Sequence, residues 1–341
     1  KKIKMIIFRI DLGYKYGLGH YSRIKSLIRY LKLKKYKIVI DKFSDSSFLS
    51  DRSNNIISLY EKGRSFKNEI EDSKLFITLL KTKYKNSTII KDSYRLNYRW
   101  EKRVKKHCKK VVSIDDSIER KHYSDIYINH NPSFTSKNDD LIKKLRIKNK
   151  KNCVFLLGPE FALFNTVSKK NKIINSDFVF YNGGSGDMSL YKKTIEELNK
   201  IKKFKIILIV GPYVKNYNTI CQKYKSFKNV KIVYKPKNII DILKYTKVFI
   251  SSAGISMFES SYLKLPSLLF KMNKNQNLSN FHYEKIGHYF CLEKKDLRLS
   301  NKIANLINLM LNNRSQVQNM MSESIINVNK IKKNFIQNLK I

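Results

Sequence analysis

The chain has 341 residues, of which 42% are hydrophobic, and it carries a formal net charge of +43. This length predicts two domains with sizeable cores, and no apolar stretch approaches the roughly 20 residues of a membrane span. The four cysteines form no CxxC pair, so neither a zinc site nor a disulfide framework is indicated.

The positive charge comes mostly from lysines that are spread along the whole chain. Because there is no arginine-rich arm and no aromatic-basic RNA motif, we expect no specific nucleic-acid partner. The charge would favour phosphorylated substrates and weak association with an anionic membrane surface. The basic N-terminal residues precede an apolar run that Arg9 and Asp11 interrupt, which is unlike a signal peptide. We therefore expect a cytoplasmic location, and we take the protein to be a monomer.

The first half of the chain alternates strand and helix signals. Helical spacing is found from His20 onward and over 100–107. Apolar stretches of strand length lie at 4–10, 36–40, 75–79, 87–90, 111–114 and 126–129. Such alternation is typical of a parallel sheet with helices on both faces.

The second half repeats this pattern. Strands are predicted at 178–181, 204–210, 230–234, 248–251 and 267–270, and helices at 190–200, 253–263, 303–311 and from 323 onward. Both halves therefore predict an α/β fold of two Rossmann-like domains that face a cleft. We place the N-terminal domain at 1–160, the crossover at 161–175 and the C-terminal domain at 176–341.

The segment GLGH, residues 17–20, follows the first strand and opens the first helix. Gly17 and Gly19 allow backbone conformations that a Cβ would forbid. A neutral His20 at this position can act as a general base and take a proton from water. The alternative is that the glycines only let helix and strand pack closely, and that His20 is a cap or a surface residue.

A glycine-rich loop follows a strand in the second half of the chain. Gly183, Gly184 and Ser185 could offer several backbone N–H groups to a diphosphate. The alternative interpretation is a simple tight turn.

The segment SSAGIS, residues 251–256, ends another strand. It contains Gly254 and Ser256, small residues that let a ligand approach the backbone closely. Glu259, in the first turn of the next helix, could accept hydrogen bonds from both ribose hydroxyls, although acidic residues are common at such positions. Asn275 and Gln276 follow the strand 267–270, at the sheet edge where open α/β sheets bind ligands, unless they belong to an ordinary polar loop.

Asp115 and Asp116 follow the strand 111–114. Adjacent carboxylates at a strand end can hold a metal or orient a sugar, but the absence of a DxD pair argues against a metal-dependent glycosyltransferase. We predict no metal site and no cofactor, and we expect this pair to cap the next segment or to tether loops of the cleft.

Taken in chain order, these motifs resemble those of the UDP-sugar hydrolase of pseudaminic acid biosynthesis, a relative of the inverting glycosyltransferases with a glycosyltransferase-B-like fold. FRIDLGYKYGLGHYSR (8–23) is similar to that family's opening motif, and DSYRLNYRWEKRVKKHCKKVVSIDD (92–116) to its second. LLGPEFALF (156–164) is similar to its hinge motif and NGGSGD (182–187) to its phosphate loop. SSAGISMFESSYLKLPSLLF (251–270), with NQ after it, looks like its nucleotide site.

The resemblance implies that water attacks the anomeric carbon of a UDP-linked diacetamido-trideoxy sugar, with inversion and without a metal, releasing UDP and the free sugar. On this interpretation His20 is the general base, and the sugar pocket is formed by Asp11, Gly17, Gly19 and Tyr94. The UDP part of the substrate would be held by Gly183, Gly184, Ser185, Gly254, Ser256 and Glu259. Asn275 and Gln276 would contact the sugar or the diphosphate.

Two other functions remain open. A glycosyltransferase of the same fold would pass the sugar from UDP to a membrane-associated acceptor. A catalytically silent module would bind a nucleotide sugar or a nucleic acid without turnover. UDP release in the absence of an acceptor distinguishes the hydrolase from both.

Overall fold

The computed structural model describes residues 5–13, 15–42, 55–60, 65–135, 139–167, 175–272 and 280–340. The chain divides into two compact units. The first contains the residues up to Leu163 together with the segment from Asn329 onward, and the second runs from Phe164 to Val328.

The first unit is built on a parallel sheet with the strand order β3-β2-β1-β4-β5-β6-β7. Its strands are β1 (Ile6–Ile10), β2 (Tyr36–Ile40), β3 (Ile56–Ser58), β4 (Thr88–Asp92), β5 (Lys110–Ile114), β6 (Ile126–Asn129) and β7 (Val154–Leu157). Its connecting helices are α1 (Gly19–Tyr30), α2 (Glu69–Lys83), α3 (Tyr98–Lys105) and α4 (Asp139–Lys148). The strand order reverses between β1 and β4, and a crevice at such a switch point is where open α/β sheets bind ligands.

The second unit has the same architecture, with the parallel strand order β10-β9-β8-β11-β12-β13. Its strands are β8 (Ser176–Tyr181), β9 (Ile206–Val210), β10 (Val230–Tyr234), β11 (Thr246–Ser252), β12 (Ser267–Lys271) and β13 (Tyr289–Glu293). Its helices are α5 (Lys192–Ile201), α6 (Tyr217–Tyr224), α7 (Ile240–Leu243), α8 (Ser256–Tyr262), α9 (Asn280–Glu284), α10 (Ser300–Asn312) and α11 (Arg314–Met320). The order reverses between β8 and β11. The predicted α/β class with two Rossmann-like domains is therefore confirmed.

The predicted strand at 75–79 is wrong, because these residues lie inside α2. The side chain of Asn68 caps this helix by accepting hydrogen bonds from the backbone N–H groups of Ile70 and Glu71, each at 3.0 Å. The fully buried residues Phe76 and Leu80 are four positions apart, so they lie on one helical face and pack with Trp100 of α3. The helical spacing of these residues was not recognised, because a short apolar run fits a strand and a buried helix equally well.

The C-terminal helix α12 (Val328–Leu339) lies within the range 176–341 that we expected to form the C-terminal domain. From Asn329 onward it belongs to the first unit. The ring of Phe335, which is fully buried, lies 6.4 Å from the ring of Tyr30 and 5.7 Å from that of Phe161, between centroids. The chain therefore passes from the first unit to the second and then back.

Among the residues that the structure describes, no helix is both long enough and apolar enough to cross a lipid bilayer.

Candidate active site

The sequence-predicted residues of the first unit gather at the carboxyl ends of β1 and β4. Ile10 and Asp92, the last residues of these two strands, are partners in the sheet register. Asp11 follows β1 directly, and Tyr94 comes two residues after the end of β4. Gly17, Gly19 and His20 lie where the same edge leads into α1. This group lies at the switch point of the first sheet.

The glycine segment uses its two glycines differently. Gly17 has a φ of 71°, in the left-handed region, and its N–H donates to the carbonyl oxygen of Gly13 at 2.8 Å. Gly19 is the first residue of α1, and it does not have a positive φ. The expectation of a special backbone conformation is therefore correct for Gly17 and wrong for Gly19, because the helix has already begun there.

His20 lies in the first turn of α1, as predicted, but its side chain is only 2% exposed. Its Nδ1 lies 2.6 Å from Oδ1 of Asp92. Burial alone would raise the pKa of Asp92, but the charge of Arg23 and the hydrogen bonds from His20 and Arg23 hold that pKa well below its usual range. We assign the proton of the His20 ring to Nδ1, because an ionised carboxylate only accepts hydrogen bonds and because Arg23 Nη2, 2.8 Å from Nδ1, donates to the same oxygen of Asp92.

This assignment leaves Nε2 of His20 as the lone-pair nitrogen of the neutral ring. Among the described residues, Nε2 has no hydrogen-bond partner. An imidazole whose one nitrogen donates to a buried carboxylate, and whose other nitrogen is available, is the arrangement of a general base.

Arg23 fixes the carboxylate that faces His20. It lies three residues after His20, on the same side of α1. Its Nε and Nη2 donate to the two oxygens of Asp92 at 2.8 and 2.7 Å, and its Nη1 donates to Asp116 Oδ1 at 3.0 Å. The Nη2 also lies 2.8 Å from Nδ1 of His20, because both donors converge on the same oxygen of Asp92.

Tyr94 forms the opposite wall beside His20. The two rings meet edge to face, with 4.6 Å between centroids. The hydroxyl of Tyr94 donates to Asp116 Oδ2 at 2.5 Å, and burial, followed by the charge of Asp116, raises the pKa of Tyr94 well above its ordinary value. The phenol is therefore a protonated donor with an acceptor already in place, and the ring is the part of Tyr94 that faces His20.

Asp11 is completely buried and organises the loop after β4. Its Oδ2 accepts from the hydroxyl of Ser93 at 2.9 Å and from the backbone N–H of Tyr94 at 3.0 Å, while its Oδ1 accepts from Nε of Arg95 at 3.0 Å. All of these donors are protein groups, so Asp11 shapes the site by positioning Tyr94.

A second buried ion cluster supports this edge from α3 and β5. Glu101, on α3, forms an ion pair with Lys91, with 2.9 Å between its Oε1 and Lys91 Nζ. The same Oε1 lies 2.7 Å from Nδ1 of His122. His122 Nε2 lies 3.2 Å from Asp115 Oδ2, and Arg120 pairs with the same carboxylate. Asp115 and its neighbour Asp116 therefore face different partners, and both tether loops at the carboxyl edge of the sheet.

In the second unit, the glycine-rich loop follows β8 directly. Gly183 has a φ of 74°. Among the described residues, the backbone N–H groups of Gly183, Gly184 and Ser185 have no hydrogen-bond acceptor. Successive unpaired amides in a loop after a strand form a concavity that suits a phosphate.

The loop after β11 lies beside the glycine loop. The Cβ position of Gly183 is 4.0 Å from Oγ of Ser252. The hydroxyls of Ser251 and Ser256 are 3.2 Å apart. A Cβ added at Gly254 would meet no atom of the described residues within 4 Å, so packing among these residues does not require a glycine there.

Glu259 is 1% exposed, and its Oε1 accepts the backbone N–H of Asn165 at 3.3 Å. Burial, followed by the charge of Glu259, raises the pKa of Tyr181 at the end of β8. Glu259 therefore lies at the β8–β11 switch point together with the two loops. Asn275 and Gln276 lie outside the described residues.

Sequence reasoning assigned no role to Asp92 or Arg23, and it did not connect Asp116 with His20. The available signals were the spacing of three between His20 and Arg23 and the position of Asp92 at the end of a predicted strand. Within the described ranges, no group of three or more His, Cys, Asp or Glu side chains could hold a metal ion.

No protein-family model matches the chain. It is 23% identical over 309 residues to an uncharacterized protein of Methanocaldococcus jannaschii, and the match covers 83% of this chain and 61% of that protein. The chain thus spans about three fifths of the length of the curated relative that it matches.

Solved structures match nearly the whole chain at low identity. UDP-GlcNAc 2-epimerase from Methanocaldococcus jannaschii, in complex with UDP-GlcNAc and UDP, has a TM-score of 0.61 at 14% identity, with 98% of this chain and 99% of that chain covered. The pneumococcal O-GlcNAc transferase GtfA, in complex with UDP and GlcNAc, has 0.59 at 9% identity, with 99% of each chain covered. MurG from Acinetobacter baumannii has 0.58 at 9% identity, with 99% of this chain and 100% of that chain covered. The chain therefore has the glycosyltransferase-B-like fold that these proteins share.

Proposed function

We propose that this protein is a metal-independent hydrolase that cleaves a UDP-linked diacetamido-trideoxy sugar at its anomeric C–O bond, with inversion. The observation that carries the proposal is the His20–Asp92 pair at the switch point of the first sheet, in which Nδ1 of His20 faces the carboxylate and Nε2 has no partner among the described residues. A neutral imidazole held in one tautomer by a carboxylate suits proton abstraction from water.

In the proposed reaction, Nε2 of His20 takes a proton from water as the water oxygen forms a bond to the anomeric carbon. The bond from this carbon to the diphosphate oxygen breaks, its electron pair leaves with UDP, and the proton on His20 returns to solvent. Asp92, which stays ionised because its pKa is low, stabilises the imidazolium that forms.

The second unit would bind UDP. The unpaired amides of Gly183, Gly184 and Ser185 suit the diphosphate, and they would stabilise the negative charge of the leaving group. The space beside Gly254 would allow UDP to approach the protein backbone closely, and Ser256 would add a hydroxyl. Glu259 would accept hydrogen bonds from the ribose hydroxyls. Asn275 and Gln276 enter this proposal on the resemblance alone.

The residues that the resemblance assigns to the sugar and that the first unit contains lie around His20. The Tyr94 ring offers an apolar face next to His20, while its hydroxyl is engaged with Asp116. Asp11 would act on the sugar pocket indirectly, and Gly17 and Gly19 would leave room near the imidazole. The structures named above include complexes with UDP or UDP-GlcNAc, which supports a nucleotide-sugar ligand for this fold.

The test is release of UDP from the UDP-linked diacetamido-trideoxy sugar, with UDP-GlcNAc as the comparison substrate. We expect release without any acceptor and in the presence of EDTA, and we expect His20→Gln to lose it. His107→Gln is the matched control, because His107 lies two residues after the end of α3 and its backbone N–H donates to the carbonyl oxygen of Val104 in that helix. Release that requires an added acceptor, tight UDP binding without turnover, or full activity of His20→Gln would each contradict the proposal.

A further inference from the structure

His20 belongs to a closed ring of five contacting side chains. The ring runs from His20 through Asp92 and Arg23 to Asp116, and from Asp116 through Tyr94 back to His20. We propose that Asp116 is a positioning residue for His20: through Arg23 and Tyr94 it holds the imidazole in place and supplies the negative charge that lets the imidazole accept a proton. This inference rests on the proposed function only where it concerns activity.

The first half of the ring runs through Arg23. One guanidinium spans two carboxylates, with two hydrogen bonds to Asp92 and contacts of 3.0 and 3.2 Å from Nη1 to the two oxygens of Asp116. Arg23 is only 3% exposed. Its orientation fixes Asp92, and Asp92 in turn receives the Nδ1 proton of His20.

The second half of the ring runs through Tyr94. Its hydroxyl donates to Asp116, and the edge-to-face contact of its ring with His20 limits rotation of the imidazole. The guanidinium of Arg120 stacks on Tyr94 with 4.7 Å to the ring centroid. One carboxylate thus fixes the imidazole both through its hydrogen-bond partner and through the ring beside it.

The charges explain why a carboxylate is needed here. Arg23 lies as close to His20 as Asp92 does, so these two charges largely cancel at the imidazole. Burial alone would raise the pKa of Asp116, but the charge of Arg23 and the hydrogen bond from Tyr94 lower it, so Asp116 remains ionised near neutral pH. With Asp116, two carboxylates face one guanidinium, and a proton on His20 makes the group electrically neutral.

Two other titratable groups of the described residues at this sheet edge, Asp115 and His130, do not supply that charge. Asp115, which also follows β5, is paired with Arg120. Burial lowers the pKa of His130, which follows β6 at the same sheet edge, so this histidine is neutral at neutral pH. Asp116 is therefore the carboxylate whose charge is available to offset that of Arg23.

The experiment compares Asp116→Asn with wild type by ¹⁵N NMR of the imidazole rings, with His20 assigned by the loss of its signals in His20→Gln. We expect the midpoint of the His20 titration to move about one pH unit lower in Asp116→Asn. In the UDP-release assay at neutral pH, we expect a fall in kcat of about tenfold with little change in KM. The NMR arm needs no substrate, so it stands even if the proposed hydrolysis fails.

Two further variants make the result specific. Asp116→Glu keeps the charge, and we expect it to restore most of the wild-type midpoint. Asp125→Asn is the matched control, because Asp125 has the same 22% side-chain exposure as Asp116 but pairs with Lys105 and Lys150 at the other end of the sheet. An unchanged midpoint in Asp116→Asn, or equal shifts in Asp116→Asn and Asp125→Asn, would overturn the inference, as would a shift in Asp116→Glu as large as that in Asp116→Asn.

Discussion

At the residue scale, the chemistry depends on the contact between His20 and Asp92, which are 72 positions apart in the chain. The sequence predicts the histidine, because a glycine turn between a strand and a helix is a local pattern. It does not predict the partner, because only the sheet order brings the ends of β1 and β4 together. The roles of Arg23 and Asp116 cannot be predicted from the sequence for the same reason.

Asp92→Asn tests the role of this carboxylate. Asparagine can keep a similar shape, but it no longer holds the proton on Nδ1 and no longer stabilises an imidazolium. We expect UDP release to slow by about a thousandfold, while UDP affinity, measured by calorimetry, stays close to that of wild type. Asp125→Asn should retain full activity, and an Asp92→Asn protein with wild-type turnover would contradict the assignment.

Gly254→Ala tests the proposal that UDP approaches the protein backbone closely at Gly254. Within the part of the chain that the structure describes, a methyl group there meets no atom within 4 Å, and the residue does not have a positive φ, so we expect no loss of thermal stability. UDP binding should weaken by about tenfold or more if a ligand uses this space.

The control for that variant is Gly211→Ala. Its Cβ would lie 2.3 Å from the carbonyl oxygen of Gly184, so we expect a destabilisation of about 2 kcal/mol. The explanation fails if Gly254→Ala binds UDP as tightly as wild type, or if it unfolds as easily as Gly211→Ala.

At the element scale, the alternation of strands and helices predicts two parallel sheets, but it does not predict the edge strands β3, β7 and β13. The error at 75–79 shows its limit, because a short apolar run fits a strand or a buried helix face equally well. These residues form a helix because Asn68 caps its N-terminus, and because Phe76 and Leu80 pack against Trp100, which is distant in sequence.

The buried cluster that joins α3 to β5 predicts a pH-dependent stability. The positive charges of Lys91 and His122 overcome burial and lower the pKa of Glu101 from 4.5 to about 2. A lowered pKa stabilises the fold above the unfolded value, and that contribution is lost as the pH falls from 4.5 towards 2. For a completely buried group this shift corresponds to about 3 kcal/mol.

His122 works in the opposite direction. The effect of Glu101 outweighs burial and raises the pKa of His122 above 6.5, so its contribution is present below 6.5 and is lost as the pH rises through the raised value. Urea unfolding of wild type and Glu101→Gln should therefore differ most between pH 4.5 and 6.5. Parallel stability curves for the two proteins would show that the cluster does not titrate in this way.

At the scale of the whole molecule, α12 returns to the first unit, which no local sequence pattern predicts. Its buried residues Ile331, Phe335 and Leu339 recur every four positions, which predicts a helix but not the surface that the helix covers.

Phe335→Ala should destabilise the first unit by about 3 kcal/mol or more, because it leaves a cavity beside Tyr30 and Phe161. Hydrogen exchange should then accelerate in α1 and leave α10 unchanged. Met310→Ala, in the core of the second unit, should do the reverse. Faster exchange in α10 of Phe335→Ala alone would contradict this division of the chain.

The most direct measurement of the central claim follows the oxygen atom and the anomeric configuration. The UDP-linked diacetamido-trideoxy sugar is incubated with the protein in ¹⁸O-enriched water, and the first product is observed by NMR before mutarotation. The account predicts ¹⁸O on the anomeric carbon of a sugar with inverted configuration, none in UDP, and no product from His20→Gln. Retained configuration, or ¹⁸O in the diphosphate of UDP, would contradict it.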